Sequence, residues 1–168
     1  MLNLSPQMPT NKPTILKEGD LAPEVRLETD SGEALRLADL KGKNVVLFFY
    51  PKADTPGCTV EACEFRDTSV KFTATDAVIL GVSPDGVAAQ SRFKGKYGLP
   101  FTLLADIEHT AAQAFGVWKE KTLYGRKHMG IERTTFLIGK DGGIARIFAK
   151  VKPAGHAAEV LEALAALR

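Results

Sequence analysis

The only two cysteines of the 168-residue chain lie in Tyr50-Pro51-Lys52-Ala53-Asp54-Thr55-Pro56-Gly57-Cys58-Thr59-Val60-Glu61-Ala62-Cys63. Cys58 follows an apolar run and a Pro/Gly-rich turn, where a helix is expected to begin. A thiol there meets unpaired backbone N–H groups and the positive end of the helix dipole, which both favour the thiolate, the reactive form. Cys63 is close enough in sequence to trap an oxidised Cys58. The chemistry offered is thiol redox chemistry.

The spacing adds a constraint. On a regular helix, residues five apart are turned about 140° around the axis, and their Cα atoms stand about 8.5 Å apart. Beyond ~7 Å two cysteines cannot be bridged without backbone movement. A Cys58–Cys63 disulfide therefore requires the first turns to unwind: helix when reduced, loop when bridged. Taken alone, Cys63 reads as a core thiol, free cysteine being among the most buried residue types. A metal site is weak, because no second Cys or His pair accompanies the two thiols. His109, His128 and His156 are scattered, each reading as a surface or capping residue. Pro51 alone is a strand terminator, and Thr55-Pro56-Gly57 alone is turn chemistry. Together they set a rigid wall and a hydroxyl beside the thiol, which suits a pocket for a small polar oxidant.

The elements that must position these groups follow from periodicity. Asn44 to Tyr50 is an almost unbroken apolar run, the pattern of a strand buried on both faces. Cys58 to about Phe72 reads as a helix, with Val60, Cys63 and Val70 among its apolar positions. Ala77 to Ser83 is a second buried strand. A helix from about Val87 to Tyr97 ends at Gly98, with Pro100 beyond it. Phe101 to Leu104 is a short strand, and Glu108 to Phe115 a short helix. Hairpins are expected around Asp30-Ser31-Gly32 and around Gly139 to Gly143. A final amphipathic helix presents Ala157, Val160, Leu161, Leu164 and Leu167 on one face. Strands alternating with helices, plus two hairpins, predict an α/β domain: a mixed central β-sheet flanked by helices on both faces.

Composition narrows the setting. The length suits one domain, expected over residues 18–168 after a flexible N-terminal extension of residues 1–17. The 22 basic and 20 acidic residues leave a net charge of +2, with nothing to suggest a nucleic-acid or membrane partner. No window approaches the ~18 consecutive apolar residues of a membrane span. The opening segment lacks the basic start and apolar core of a signal peptide, so a reducing cytoplasmic setting is expected. G-x-G-x-x-G, P-loop and H-E-x-x-H motifs are absent from the sequence.

Pro51-x-x-x-Thr55-x-x-Cys58 resembles the active-site signature of peroxiredoxins. The longer run FFYPKADTPGCTVEACEFRD resembles their bacterioferritin-comigratory-protein (PrxQ) subfamily. The likeness continues through Glu18-Gly19-Asp20-x-Ala22-Pro23, Phe101-Thr102-Leu103-Leu104-x-Asp106, Phe115-Gly116-Val117-Trp118 and Gly130-Ile131-x-Arg133-x-Thr135-Phe136-Leu137-Ile138, in that order. It implies a thioredoxin-like fold and reduction of hydrogen peroxide and organic hydroperoxides. Cys58 would be the peroxidatic cysteine and Cys63 the resolving one, joined in an intramolecular disulfide during the cycle. Thr55 would hydrogen-bond the peroxide and the thiolate, Pro51 would shield the sulfur, and Arg133 would be the active-site arginine. The resemblance further implies a monomer that needs no metal, haem, flavin or nucleotide cofactor, recycled by thioredoxin or another dithiol.

Two other readings of the same cysteines stay open at this point. A thioredoxin-like disulfide reductase shares the layout but uses C-x-x-C, and would give Pro51 and Thr55 no special task. A redox-sensing or chaperone-like binding module would use the helix-to-loop change to exchange partners.

Overall fold

The computed structural model describes residues 15–167, so the expected N-terminal extension lies outside it except for its last three residues. The strand at the centre is β3 (Asn44–Phe49). Its side chains alternate, as a strand's must. Val46, Phe48 and the following Tyr50 enter one core, while Val45, Leu47 and Phe49 enter another. Both faces are covered, which explains the unbroken apolar run. Fully burying one such side chain stabilises the fold by roughly 1.5–3 kcal/mol. The sheet closes tightly around it: a Cβ at Gly81 would come within 2.8 Å of Phe48 and of Leu103.

Around β3 the chain builds a seven-stranded sheet. It uses β1 (Arg26–Thr29), β2 (Ala34–Arg36), β4 (Ala77–Ser83), β5 (Thr102–Ala105), β8 (Thr134–Ile138) and β9 (Ile144–Phe148), in the order β2-β1-β5-β4-β3-β8-β9. Strands β3, β4 and β5 run parallel, and β8 pairs antiparallel with β3. Helices α1 (Pro56–Asp67), α2 (Ser69–Ala74), α3 (Val87–Tyr97) and α5 (His156–Ala165) cover one face. A 3₁₀ turn (Leu37–Leu40) and α4 (Thr110–Ala114) cover the other. The expected mixed sheet with helices on both faces is present, as are both expected hairpins. Helix α3 ends where expected, with Gly98 left-handed at φ 59°.

Three expectations change. The helix expected from Cys58 to Phe72 begins two residues earlier, at Pro56, and breaks at Thr68. The Thr68 hydroxyl donates to Glu64 O at 2.9 Å, a local side-chain bond that competes with helix continuation. Val60 and Val70 are exposed; the stripe that packs inward is Cys58, Glu61, Ala62 and Phe65 on α1, then Phe72 on α2. Secondly, β6 (Trp118–Leu123) and β7 (Arg126–Ile131) form an unexpected two-stranded hairpin. Tyr124 and Gly125 at its tip both have positive φ, the conformation of a two-residue type I′ turn. Thirdly, Leu167 is exposed beyond the end of α5, whereas Ala157, Val160 and Leu164 are buried as expected. No helix among the described residues is long and apolar enough to cross a membrane.

Candidate active site

The site lies at the C-terminal end of β3. Pro51 follows the strand directly and has no N–H to offer a further ladder bond. Residues 51–55 turn the chain, and α1 starts with Pro56 at its first position, where a missing N–H costs nothing. The first helical hydrogen bond runs from Thr59 N to Thr55 O at 2.8 Å, so Gly57 and Cys58 lie in the opening turn among its unpaired N–H groups. Cys58 points inward and is only 1% exposed.

The sheet register brings in the second component. Phe49 of β3 is paired with Thr134 of β8, which places Arg133 beside the turn where α1 begins. Arg133 Nη2 donates to Cys58 Sγ at 3.3 Å, and Nη1 donates to Glu61 Oε1 at 2.8 Å. Burial works against the guanidinium's charge, but Glu61 and Cys58 beside it hold its pKa above the ordinary value. A charged donor of this kind binds an anionic sulfur more strongly than a neutral one would. The approach is tight: a Cβ at Gly57 would stand 3.2 Å from Arg133 Nη2, which would have to give by a few tenths of an ångström, and 3.5 Å from the Pro153 ring. Gly57→Ala is thus expected to displace the guanidinium from Sγ and slow thiol oxidation by roughly tenfold, equal to about 1.4 kcal/mol of barrier. Stopped-flow oxidation together with a melting curve checks this; an unchanged rate would show that Arg133 accommodates the methyl group.

Thr55 and Pro51 occupy the same turn. The Thr55 hydroxyl donates to Lys52 O at 2.7 Å rather than to sulfur, so the bond to the thiolate implied by the resemblance is not formed in this arrangement. Its oxygen lone pairs remain available as acceptors. Pro51 is half-buried directly before this turn. Cys63, half-buried, sits further along the unbroken α1, and both cysteines are free thiols.

Two further groups under the thiol escape the sequence reading. Glu61 is 1% exposed, one helical turn after Cys58. Its contact with Arg133 has ion-pair geometry, yet burial, the larger influence, pushes its carboxyl up to about 7. The conflict has a physical source: one guanidinium faces two acidic groups, and Glu61 Oε2 has no hydrogen-bond partner among the described residues. His156, expected as a surface or capping residue, is instead buried at the start of α5. Its Nε2 lies 2.7 Å from Thr135 Oγ1 and 4.0 Å from Glu61 Oε2, and its ring meets Phe65 and Phe148 edge-on. Burial pushes its pKa down to about 4, so the ring is neutral near pH 7 and its contact with Glu61 is not an ion pair. A carboxylate and an imidazole on otherwise apolar helical stripes were the available sequence signals for both.

The turn is held from the α3 side. Ala53 N donates to Asp85 Oδ2 at 2.7 Å, and Asp85 also accepts from the Ser83 hydroxyl. Gln90 donates to Ser83 Oγ and Leu104 O, and accepts from the buried Tyr50 hydroxyl at 2.5 Å. Asp54, in the left-handed region at φ 59°, accepts from Tyr97 Oη at 2.7 Å and Lys96 Nζ at 2.9 Å. Tyr97 also receives Arg66 Nη1 on its backbone oxygen at 2.7 Å. On the other side, Gly155 N donates to the Glu64 carboxylate, tying the start of α5 to α1. An apolar cavity of about 190 Å³ near Leu37, Val45 and Ile138 lies at the opposite end of the β3–β8 pair and includes none of these residues.

Residues 19–147 match the AhpC/TSA family. Peroxiredoxin Bcp of Bacillus subtilis is 53% identical over 146 residues, covering 87% of this chain and 93% of that protein. Peroxiredoxin Bcp of Escherichia coli K12 is 44% identical over 141 residues, covering 84% and 90%. Among solved structures, peroxiredoxin Q of Xanthomonas campestris superposes with a TM-score of 0.82 at 41% identity, covering 85% of this chain and 90% of that one. A cysteine-to-serine variant of PrxQ from Xylella fastidiosa gives 0.86 at 38% identity, covering 91% and 98%. Sequence and architecture agree across most of each partner's length: this chain belongs to the AhpC/TSA family, as a peroxiredoxin of the Bcp/PrxQ type with a thioredoxin-like fold.

Proposed function

We propose that this chain is a thiol-dependent peroxidase that reduces hydrogen peroxide and organic hydroperoxides, with Cys58 as the attacking group. The observation that carries the reading is Arg133, which donates to the sulfur from a half-buried position while α1 directs its N-terminal turn at the same spot. The thiolate attacks one peroxide oxygen, the O–O bond breaks, and the leaving oxygen departs as water or an alcohol, leaving a sulfenic acid on Cys58. Arg133 and the free N–H groups stabilise the charge that develops on the oxygens. Thr55 offers an acceptor to the peroxide O–H, and Pro51 limits access to the sulfur.

The opening turns of α1 then unwind, and Cys63 condenses with the sulfenic acid to give an intramolecular disulfide. Thioredoxin, or another dithiol, restores both thiols by exchange. The enzyme works as a cytoplasmic monomer. A Xanthomonas campestris bacterioferritin comigratory protein, 41% identical over 84% of this chain, was solved as trapped intermediate and ligand complexes in connection with its alkyl peroxide reduction activity, which supports organic hydroperoxides as substrates here.

A peroxide-consumption assay coupled to thioredoxin and its reductase provides the test. Wild-type protein should turn over and Cys58→Ser should fall to the uncatalysed background. Equal activity in the two would overturn the proposal.

A further inference from the structure

A single half-buried guanidinium serves two acidic groups beneath this site. Arg133 Nη2 faces Cys58 Sγ at 3.3 Å and Nη1 faces Glu61 Oε1 at 2.8 Å. A thiolate and a carboxylate together would outnumber the one positive charge in a pocket where Cys58 and Glu61 are each 1% exposed. Uncompensated buried charge is costly, so such a pair settles on one negative charge. The remaining carboxyl oxygen, Oε2, has no hydrogen-bond partner among the described residues and faces the His156 ring at 4.0 Å.

We propose that Glu61 is the proton reservoir of the oxidative half-reaction: it holds a proton while Cys58 is a thiolate and releases it once the sulfur has lost its charge. The inference rests on the peroxidase reading above and adds to it a place for one proton. Glu61 acts through Arg133 and does not touch the peroxide.

The half-reaction sets the stoichiometry. The Cys58 thiolate, the Cys63 thiol, one hydroperoxide and one proton give the disulfide, one alcohol and one water. The sulfur–oxygen bond forms as the O–O bond breaks, and sulfur passes two electrons to the peroxide. The departing alkoxide takes the proton; the hydroxyl on sulfur later leaves as water with the proton of Cys63. One proton is therefore consumed per disulfide, and Glu61 returns one to the solvent when Arg133 has no other anion to face. Within the pocket, a carboxylate replaces the thiolate and the charge stays balanced.

The surroundings agree in sign. Burial holds the Glu61 proton on most strongly; Arg133 opposes this, and Glu64 on the same helix reinforces it. From α5, His156 presents a neutral ring, and from β8, Thr135 presents a neutral hydroxyl to that ring. Unwinding of the first turns of α1 would carry Glu61 away from this pocket, which also favours release.

The test counts protons with an indicator dye in weak buffer while one equivalent of hydrogen peroxide oxidises the reduced protein. Measurements at about pH 6 and about pH 8 bracket the Glu61 carboxyl near 7. Net uptake should be close to zero per disulfide in the wild type at the lower pH and approach one at the higher. Glu61→Gln should take up about one at both. Infrared titration of the reduced wild type supplies a check that does not depend on the variant folding: a protonated-carboxyl carbonyl band should be present at the lower pH, weaken at the higher, and vanish on oxidation. Uptake of one proton by the wild type at both values, without that band, would overturn the proposal. Failure to consume peroxide at all would instead overturn the peroxidase reading.

Discussion

Replacing Arg133 with alanine is expected to slow peroxide attack on Cys58 by roughly 10²–10³-fold, the range found when one donor to a developing oxyanion is removed. The side chain makes two bonds that no other described residue duplicates: 3.3 Å to Sγ and 2.8 Å to Glu61. Its loss removes both a positive charge beside the sulfur and the donor that stands 3.3 Å from Sγ. Removing one partner of a buried ion pair is often destabilising enough to obscure a kinetic effect. Here the damage should be moderated, because burial already brings the Glu61 carboxyl to about 7 and a protonated acid can remain in place. Arg133→Lys separates the contributions. It keeps the charge but lacks the planar fork that reaches sulfur and carboxylate together, so an intermediate rate is expected. Stopped-flow oxidation at saturating thiolate, read beside thermal unfolding, decides the matter. A rate within twofold of wild type for Arg133→Ala would mean that the N-terminal turn of α1 suffices.

Cys63→Ser should reduce a many-turnover enzyme to a single event. Cys58 remains in its pocket under Arg133, so one equivalent of peroxide is still consumed and sulfenic acid accumulates. Without the second thiol no internal disulfide forms, and thioredoxin-linked turnover should stop. The peroxide consumed per chain, with mass spectrometry of a dione-trapped sulfenic acid, gives the count. Sustained thioredoxin-linked turnover would show that the reductant attacks Cys58 directly and that Cys63 is not the resolver. In the structure Cys63 is half-buried on an intact helix, so the wild-type cycle should also show loss of helical circular dichroism on oxidation and its return on reduction.

The strand, turn and helix that present Cys58 are legible in the sequence because each has a local cause. Asn44–Phe49 is apolar on both faces, Pro51 ends it, and Pro56-Gly57 opens α1. Arg133 is legible only through family resemblance: its partners are 72 and 75 residues away, and the β3–β8 register that unites them leaves no periodic trace. The same distance hides the meeting of Glu61 and His156, although a charged residue on the Cys58–Ala62–Phe65 stripe was a visible anomaly. The β6–β7 hairpin is missed for a different reason. Its strands are largely exposed on both faces, so no alternation of apolar and polar residues marks them.

Tyr97 holds both ends of the segment proposed to change shape. Its hydroxyl binds Asp54 ahead of α1, and its backbone oxygen binds Arg66 near the end of α1. For a chain anchored at two points on one residue, melting the stretch between them leaves the end-to-end distance unchanged. The entropy gained is that of a short tethered loop, rather than of a free strand, and the return to helix starts with its ends already together. Rearrangement can therefore remain a bounded local event, a small cooperative unit opening within a sheet that stays folded. Cutting either tether, by Tyr97→Phe at the hydroxyl or Arg66→Met at the carbonyl, would let the disorder spread outward, slowing reversal more than opening.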